Sequence, residues 1–216
     1  PMAYFAQFDL GVPAVAMVTA SHNENGWTGV KMGMERPFTF NPEEMAALKD
    51  IVLGGKWEER DGGRLIDAQE VAQRYIDDLC KGPKLIRRLK VVVACGNGTA
   101  GLFAPQVLTA MGSEVIPLDC ELDYTFPNYN PNPEDLKMLS AASRAVLQHK
   151  ADLALCFDGD GDRCGVVDNE GNAIFADKVG VLLARHFAAT AKDALFIADV
   201  KSTGLFESDP VLKKLG

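Results

Sequence analysis

Apolar positions along this chain recur in two rhythms. Nearly continuous apolar runs from Val15 to Val18, Lys90 to Ala94, Glu114 to Leu118, Ala151 to Phe157 and Ala194 to Val200 predict strands. Val166 to Phe175 predicts a hairpin that turns at Asn169 to Gly171. Helical spacing marks Met45, Leu48, Ile51 and Val52 as one face, and Ala68, Val71, Ala72, Tyr75, Ile76 and Leu79 as another. Thr99 to Met111, the stretch holding Leu136, Leu139 and Ala142, and Val179 to Ala189 read as three more helices. Asn41-Pro42-Glu43-Glu44 is a helix start, with Asn as N-cap, Pro at the first helical position and Glu at N3, and Gly54-Gly55 is its stop. Lys81-Gly82-Pro83 predicts a domain boundary. Repeated strand–helix units predict an α/β fold built of three-layer α/β/α domains with mixed, largely parallel sheets.

Charge and cysteine usage narrow the class. A formal net charge of −8 and a pI near 4.9 argue against a nucleic-acid partner, which wants a basic footprint. No apolar run approaches the roughly 20 residues that a membrane span needs. Cys80, Cys95, Cys120, Cys156 and Cys164 lack C-x-x-C spacing and mostly sit in or beside apolar strands, so reduced, partly buried thiols are expected. These features agree with a cytoplasmic enzyme; monomer and dimer both stay open.

Directly after the Ala151 to Phe157 run stands Asp158-Gly159-Asp160-Gly161-Asp162-Arg163. Three anions at the tip of a buried strand need compensation, and hard oxygen ligands in this number suit Mg²⁺ or a similar divalent ion better than zinc. The glycines let the loop curl its carboxylates around one point. An EF-hand would need Gly and Glu where Arg163 and Asn169 stand, and helices where this loop follows a strand. A haloacid-dehalogenase phosphatase shares strand-Asp-x-Asp but has Thr or Val at the position of Asp162.

Far upstream, the run ending at Val18 enters Thr19-Ala20-Ser21-His22-Asn23, with Lys31 ten residues after the serine. A serine hydroxyl needs activation to act as a nucleophile. His22, adjacent in sequence, would point away from Ser21 in a strand, and all three of Ser-His-Asn also favour N-caps and turns. A third segment, Gly96-Asn97-Gly98-Thr99-Ala100-Gly101, is a full G-x-G-x-x-G between strand and helix, with Asp119 about 20 residues on, the written fingerprint of a dinucleotide-binding Rossmann oxidoreductase using NAD(P).

The serine segment and the DGDGDR loop, taken together in this order, closely resemble the α-D-phosphohexomutases, which include phosphomannomutases, phosphoglucomutases and phosphoglucosamine mutases. The family carries a similar Gly-Asn-Gly segment without binding NAD, and NAD chemistry leaves the other two motifs unexplained. The resemblance covers essentially the whole chain and departs from the family at Glu24 and at Asn25-Gly26-Trp27-Thr28-Gly29, where the Trp27 loop hints at a bacterial phosphomannomutase/phosphoglucomutase. It implies a four-domain parent, with residues 1–82 belonging to domain 1, 83–175 to domain 2 and 176–216 to the start of domain 3, so that this is a fragment. It also implies a phosphoryl group on Ser21 and Mg²⁺ held by Asp158, Asp160, Asp162 and the Ser21 phosphate. His22, Lys31, Arg163 and Lys201 are implied near the transferred group. Asn23, Arg163 and Lys201 are implied to bind a hexose phosphate of mannose or glucose. Lys31 is expected to serve in proton transfer if neighbouring cations and desolvation lower its pKa. A sugar-phosphate-binding fragment without catalysis of its own is the remaining alternative.

Overall fold

The computed structural model describes residues 1–23, 26–82, 85–191 and 193–215. Glu24 and Asn25 of the serine segment, and Pro83 of the expected boundary, lie outside the described residues. Along the chain run α1 (Met2–Asp9), β1 (Val15–Val18), β2 (Val30–Gly33), α2 (Pro42–Gly54), α3 (Glu70–Leu79), β3 (Lys90–Ala94), α4 (Ala104–Ala110), β4 (Glu114–Leu118), α5 (Leu136–His149), β5 (Leu153–Phe157), β6 (Cys164–Asp168), β7 (Ala173–Ile174), α6 (Ala176–Thr190) and α7 (Leu205–Ser208). Two short 3₁₀ helices cover Thr99–Leu102 and Leu212–Leu215.

β3 is an inner strand of a five-stranded sheet in the order β4-β3-β5-β6-β7. Its Val91-Val92-Val93-Ala94 run is buried on both faces, the pattern of an inner parallel strand. One face packs Val92, Ala94, Ala154, Cys156 and Val167 against Met138, Leu139, Ala142 and Val146 of α5. The opposite face packs Val91, Val93 and Cys95 against Ala100, Ala104 and Leu108. The sheet thus lies between helices, as the strand–helix alternation predicts. It is mixed, but parallel pairing is confined to β4-β3-β5, while β5-β6-β7 run antiparallel. The links after β5 and β6 are too short for the crossover that a parallel neighbour requires. A separate antiparallel pair, β1 with β2, sets Met17 opposite Lys31.

Several expected elements form as read. Asn41 accepts from the Glu44 amide at 2.8 Å while the Glu44 side chain accepts from the Asn41 amide at 2.8 Å, and Gly55 closes α2 in the left-handed region. The hairpin turns at Asp168 to Asn172. Two readings need correction. The expected helix over Thr99 to Met111 is broken: a 3₁₀ turn to Leu102 gives way to α4, whose first turn holds Pro105. Ala194 to Val200 is not a strand. Extended backbone becomes one only by pairing with a neighbour, and among the described residues none pairs with this segment, whose Leu195, Ile197 and Val200 are almost fully exposed. No described helix is long and apolar enough to cross a membrane.

Met138 is fully buried at the centre of the α5 face. Met138→Ala is expected to destabilise the chain by about 2–5 kcal/mol, read as a fall in the urea midpoint.

Candidate active site

Phe157 and Cys164 face each other in the β5–β6 register, so Asp158 to Arg163 is the tip of an antiparallel hairpin. The loop closes on itself through the Gly161 amide to the Asp158 carbonyl at 3.1 Å, with Gly161 at φ +70 supplying the left-handed turn. Asp158 is fully buried, Asp160 nearly so, and Asp162 exposed. One oxygen of Asp158 accepts the amides of Asp162 and Arg163, both at 3.0 Å, and the other accepts Arg163 Nε at 3.0 Å. Each aspartate nevertheless offers one oxygen to a group whose members all lie within 4.8 Å of one another.

The serine loop reaches this hairpin from more than a hundred residues away. The Thr19 hydroxyl donates to Asp160 Oδ2 at 3.0 Å and accepts the Ser21 amide at 2.8 Å. That second bond holds Ser21 at φ +56, a left-handed backbone that costs a non-glycine residue energy and gathers at functional sites. The Ser21 carbonyl lies so close to Gly159 that a Cβ there would come within 2.5 Å of it. Lys31, placed by β2, reaches in from the side, its Nζ 2.9 Å from both Asp160 Oδ2 and Asp162 Oδ2. Because Ser21 and His22 form a turn and not a strand, His22 Nδ1 comes 3.3 Å from Ser21 Oγ. The sequence alone points the imidazole away, and the turn overrides that.

Charge in the site is incompletely balanced. Three carboxylates face the cations of Lys31 and Arg163. Burial pushes the Asp158 carboxyl above its ordinary range, and the charges of Asp160 and Asp162 add to this despite the donors from Arg163. Asp162 is also raised by desolvation, but its hydrogen bond and attraction to Lys31 outweigh that and hold it low. Burial would lower the Lys31 ammonium; its bonds to Asp162 and Asp160 prevail and hold it above the usual lysine range. The lowered lysine pKa anticipated from neighbouring cations is therefore reversed, because its immediate neighbours are anions. Asp160 Oδ1 and Arg163 Nη2 are both buried without a hydrogen-bond partner. An unmatched buried carboxylate oxygen beside other carboxylates fits a hard divalent cation, and the free guanidinium nitrogen fits an anion beside it.

Ser21, His22, Lys31, Asp158, Asp160, Asp162 and Arg163 are thus brought together. Asn23 stands at the loop's outer edge, its side-chain nitrogen donating to the Ala20 carbonyl at 2.9 Å, where it secures the turn. Lys201 is not brought in: it is exposed in a turn whose amide bonds Asp199, with no ion pair to either loop among the described residues. Thr19 is the residue that sequence reading passed over. Its place two residues before a serine in a turn, where a hydroxyl can cap the following amide, was the available signal.

A family model for the α/β/α domain I of phosphoglucomutase/phosphomannomutase matches residues 1–59, and one for domain II of the same family matches 73–171. A phosphomannomutase/phosphoglucomutase of Pseudomonas putida is 38% identical over 208 residues, covering 94% of this chain and 43% of that protein. A phosphoglucomutase of Neisseria meningitidis is 34% identical over 216 residues, covering all of this chain and 46% of its own length. The crystal structure of a phosphoglucomutase/phosphomannomutase family protein from Burkholderia thailandensis superposes with a TM-score of 0.83 at 31% identity, over 94% of this chain and 43% of that one. The chain therefore spans less than half the length of these relatives. Both domain matches fall in chain order on the two motif-bearing halves, and the chain belongs to the phosphoglucomutase/phosphomannomutase family.

Proposed function

We propose that this chain carries the phosphoryl-transfer half of a phosphohexomutase, which interconverts hexose 1-phosphate and hexose 6-phosphate of mannose or glucose through a hexose 1,6-bisphosphate. The observation that carries the reading is the meeting of the Ser21 loop with the aspartate hairpin through Thr19 and Lys31. The activities for which the relatives are named supply the substrate class. In this reading residues 1–82 contribute domain 1, 83–175 domain 2 and 176–216 the beginning of domain 3. Lys201 is assigned to substrate binding on motif position alone.

Phosphoryl transfer asks a protein chiefly for positioning and charge neutralisation. Ser21 Oγ carries the phosphoryl group and exchanges it with a sugar hydroxyl. Asp158, Asp160 and Asp162 hold Mg²⁺, which when bound draws charge from phosphate oxygens. Thr19 fixes the Ser21 backbone, which sets the Ser21 carbonyl against Gly159 of the hairpin and the hydroxyl beside His22. Arg163, anchored through Nε to Asp158, keeps Nη2 free for a phosphate oxygen. His22 Nδ1 holds the Ser21 hydroxyl, and Lys31 offers protons to phosphate or sugar oxygens when the aspartates are otherwise engaged. The Rossmann alternative has no support in this geometry, since the Gly98, Thr99 and Gly101 amides already donate within the protein.

In the intact enzyme Ser21→Ala is expected to abolish mutase turnover and the phosphopeptide containing residue 21; turnover near the wild-type rate would overturn the phosphoserine. Asp160→Asn is expected to raise the Mg²⁺ concentration for half-activity at least as much as the roughly 10–100-fold that losing an outer-sphere partner costs. An unchanged metal titration would remove Asp160 from the ligand set.

A further inference from the structure

The Gly96–Gly101 run has dinucleotide spacing, yet each of its glycines is filled by protein. A Cβ on Gly96 would come 2.9 Å from Pro131 Cβ, and one on Gly101 would overlap the Cys120 carbonyl. Gly98 is the informative one: a Cβ there would lie 3.0 Å from both the Cα and the carbonyl oxygen of Gly159, between the first two aspartates. The next residue, Thr99, donates twice to that same Gly159 carbonyl, from its amide at 3.0 Å and from Oγ1 at 3.0 Å. Ala100 then packs beneath Gly161, where an added Cβ would sit 3.4 Å from the alanine methyl.

We propose that Gly98-Thr99-Ala100 is the seat of the aspartate hairpin and that Thr99 is a positioning residue for the ion site. Two donors on one carbonyl fix the peptide plane joining Gly159 to Asp160. The orientation of that plane sets where Asp160 points, and Asp160 is the carboxylate shared by Thr19 and Lys31. Gly159 is at the same time pressed against the Ser21 carbonyl, so the seat fixes the hairpin from one side while the serine loop meets it from the other. Thr99 acts through Gly159 and touches no reacting atom. The metal half of this inference rests on the ion-site reading above; the mechanical half does not.

The test uses the full chain with Mn²⁺ as a paramagnetic probe, titrated by electron paramagnetic resonance, alongside amide exchange of peptides spanning 157–163. Thr99→Val keeps the amide and the shape but removes the hydroxyl; Thr99→Ser restores it. Thr99→Val is expected to weaken Mn²⁺ about 10–100-fold and to speed exchange in 158–162, with β3 and α5 unchanged, while Thr99→Ser behaves as wild type. Gly98→Ala, which retains Thr99 but forces Gly159 outward, is expected to weaken Mn²⁺ as well. Wild-type Mn²⁺ affinity and wild-type exchange in both Thr99→Val and Gly98→Ala would overturn the proposal. So would equal losses in Thr99→Ser and Thr99→Val, or faster exchange throughout the sheet. Should wild-type chain bind no Mn²⁺, the ion-site reading fails by itself, and unchanged hairpin exchange in Thr99→Val would overturn the seat independently.

Discussion

Crowding of three like charges at the end of a buried strand is the constraint around which this molecule is arranged. Two of the three aspartates have almost no access to water, and an uncompensated carboxylate in such a place is costly. The surroundings respond with every donor within reach: backbone amides of the hairpin, the Arg163 guanidinium, the Thr19 hydroxyl and the Lys31 ammonium. Those donors come from both sheets, so the same compensation that makes the hairpin tolerable also docks β1 and β2 onto it. The Asp160 oxygen left without a partner marks a place that none of these donors reaches.

The five-stranded sheet supplies the rigid half of this arrangement. Burial of β3 on both faces fixes the strand ends from which the glycine turn and the hairpin emerge side by side. The switch from parallel to antiparallel pairing at β5 matters as much, because it returns the chain at once after the aspartates and makes the acidic segment a tight tip. A helix after β5 would have carried the third aspartate away from the first.

Local chemistry was legible in the sequence wherever a side chain and its partner are neighbours along the chain. The Asn41–Glu44 box and the DGDGDR hairpin belong to this group, since their spacing already defines the contacts. The proximity of Ser21 to His22 was not legible, because it depends on a left-handed serine that Thr19 imposes from outside the dipeptide. The role of the glycine run was misdirecting for a related reason: its spacing describes a turn that lets another backbone approach, and the sequence does not say whether that backbone belongs to a ligand or to Gly159. The segment from Ala194 to Val200 has strand composition, but pairing is a property of two segments, and composition speaks for one.

The aspartates and the serine differ in how much chain must be organised before each can act. Asp158 and Asp162 are joined across a hairpin tip, and gathering them closes only a very short loop. Bringing Thr19 to Asp160 closes one of 141 residues, and that entropy, though it grows only with the logarithm of length, has to be recovered by packing between distant segments. In the proposed reading, the carboxylates assigned to the cation are therefore gathered by local chain, whereas the assigned nucleophile reaches them only through packing between distant segments. Loosening the contact between the β1–β2 pair and the five-stranded sheet would part Ser21 from the aspartates while leaving the aspartates beside one another, so the proposed ion binding and the proposed phosphoryl loading would depend on different parts of the fold.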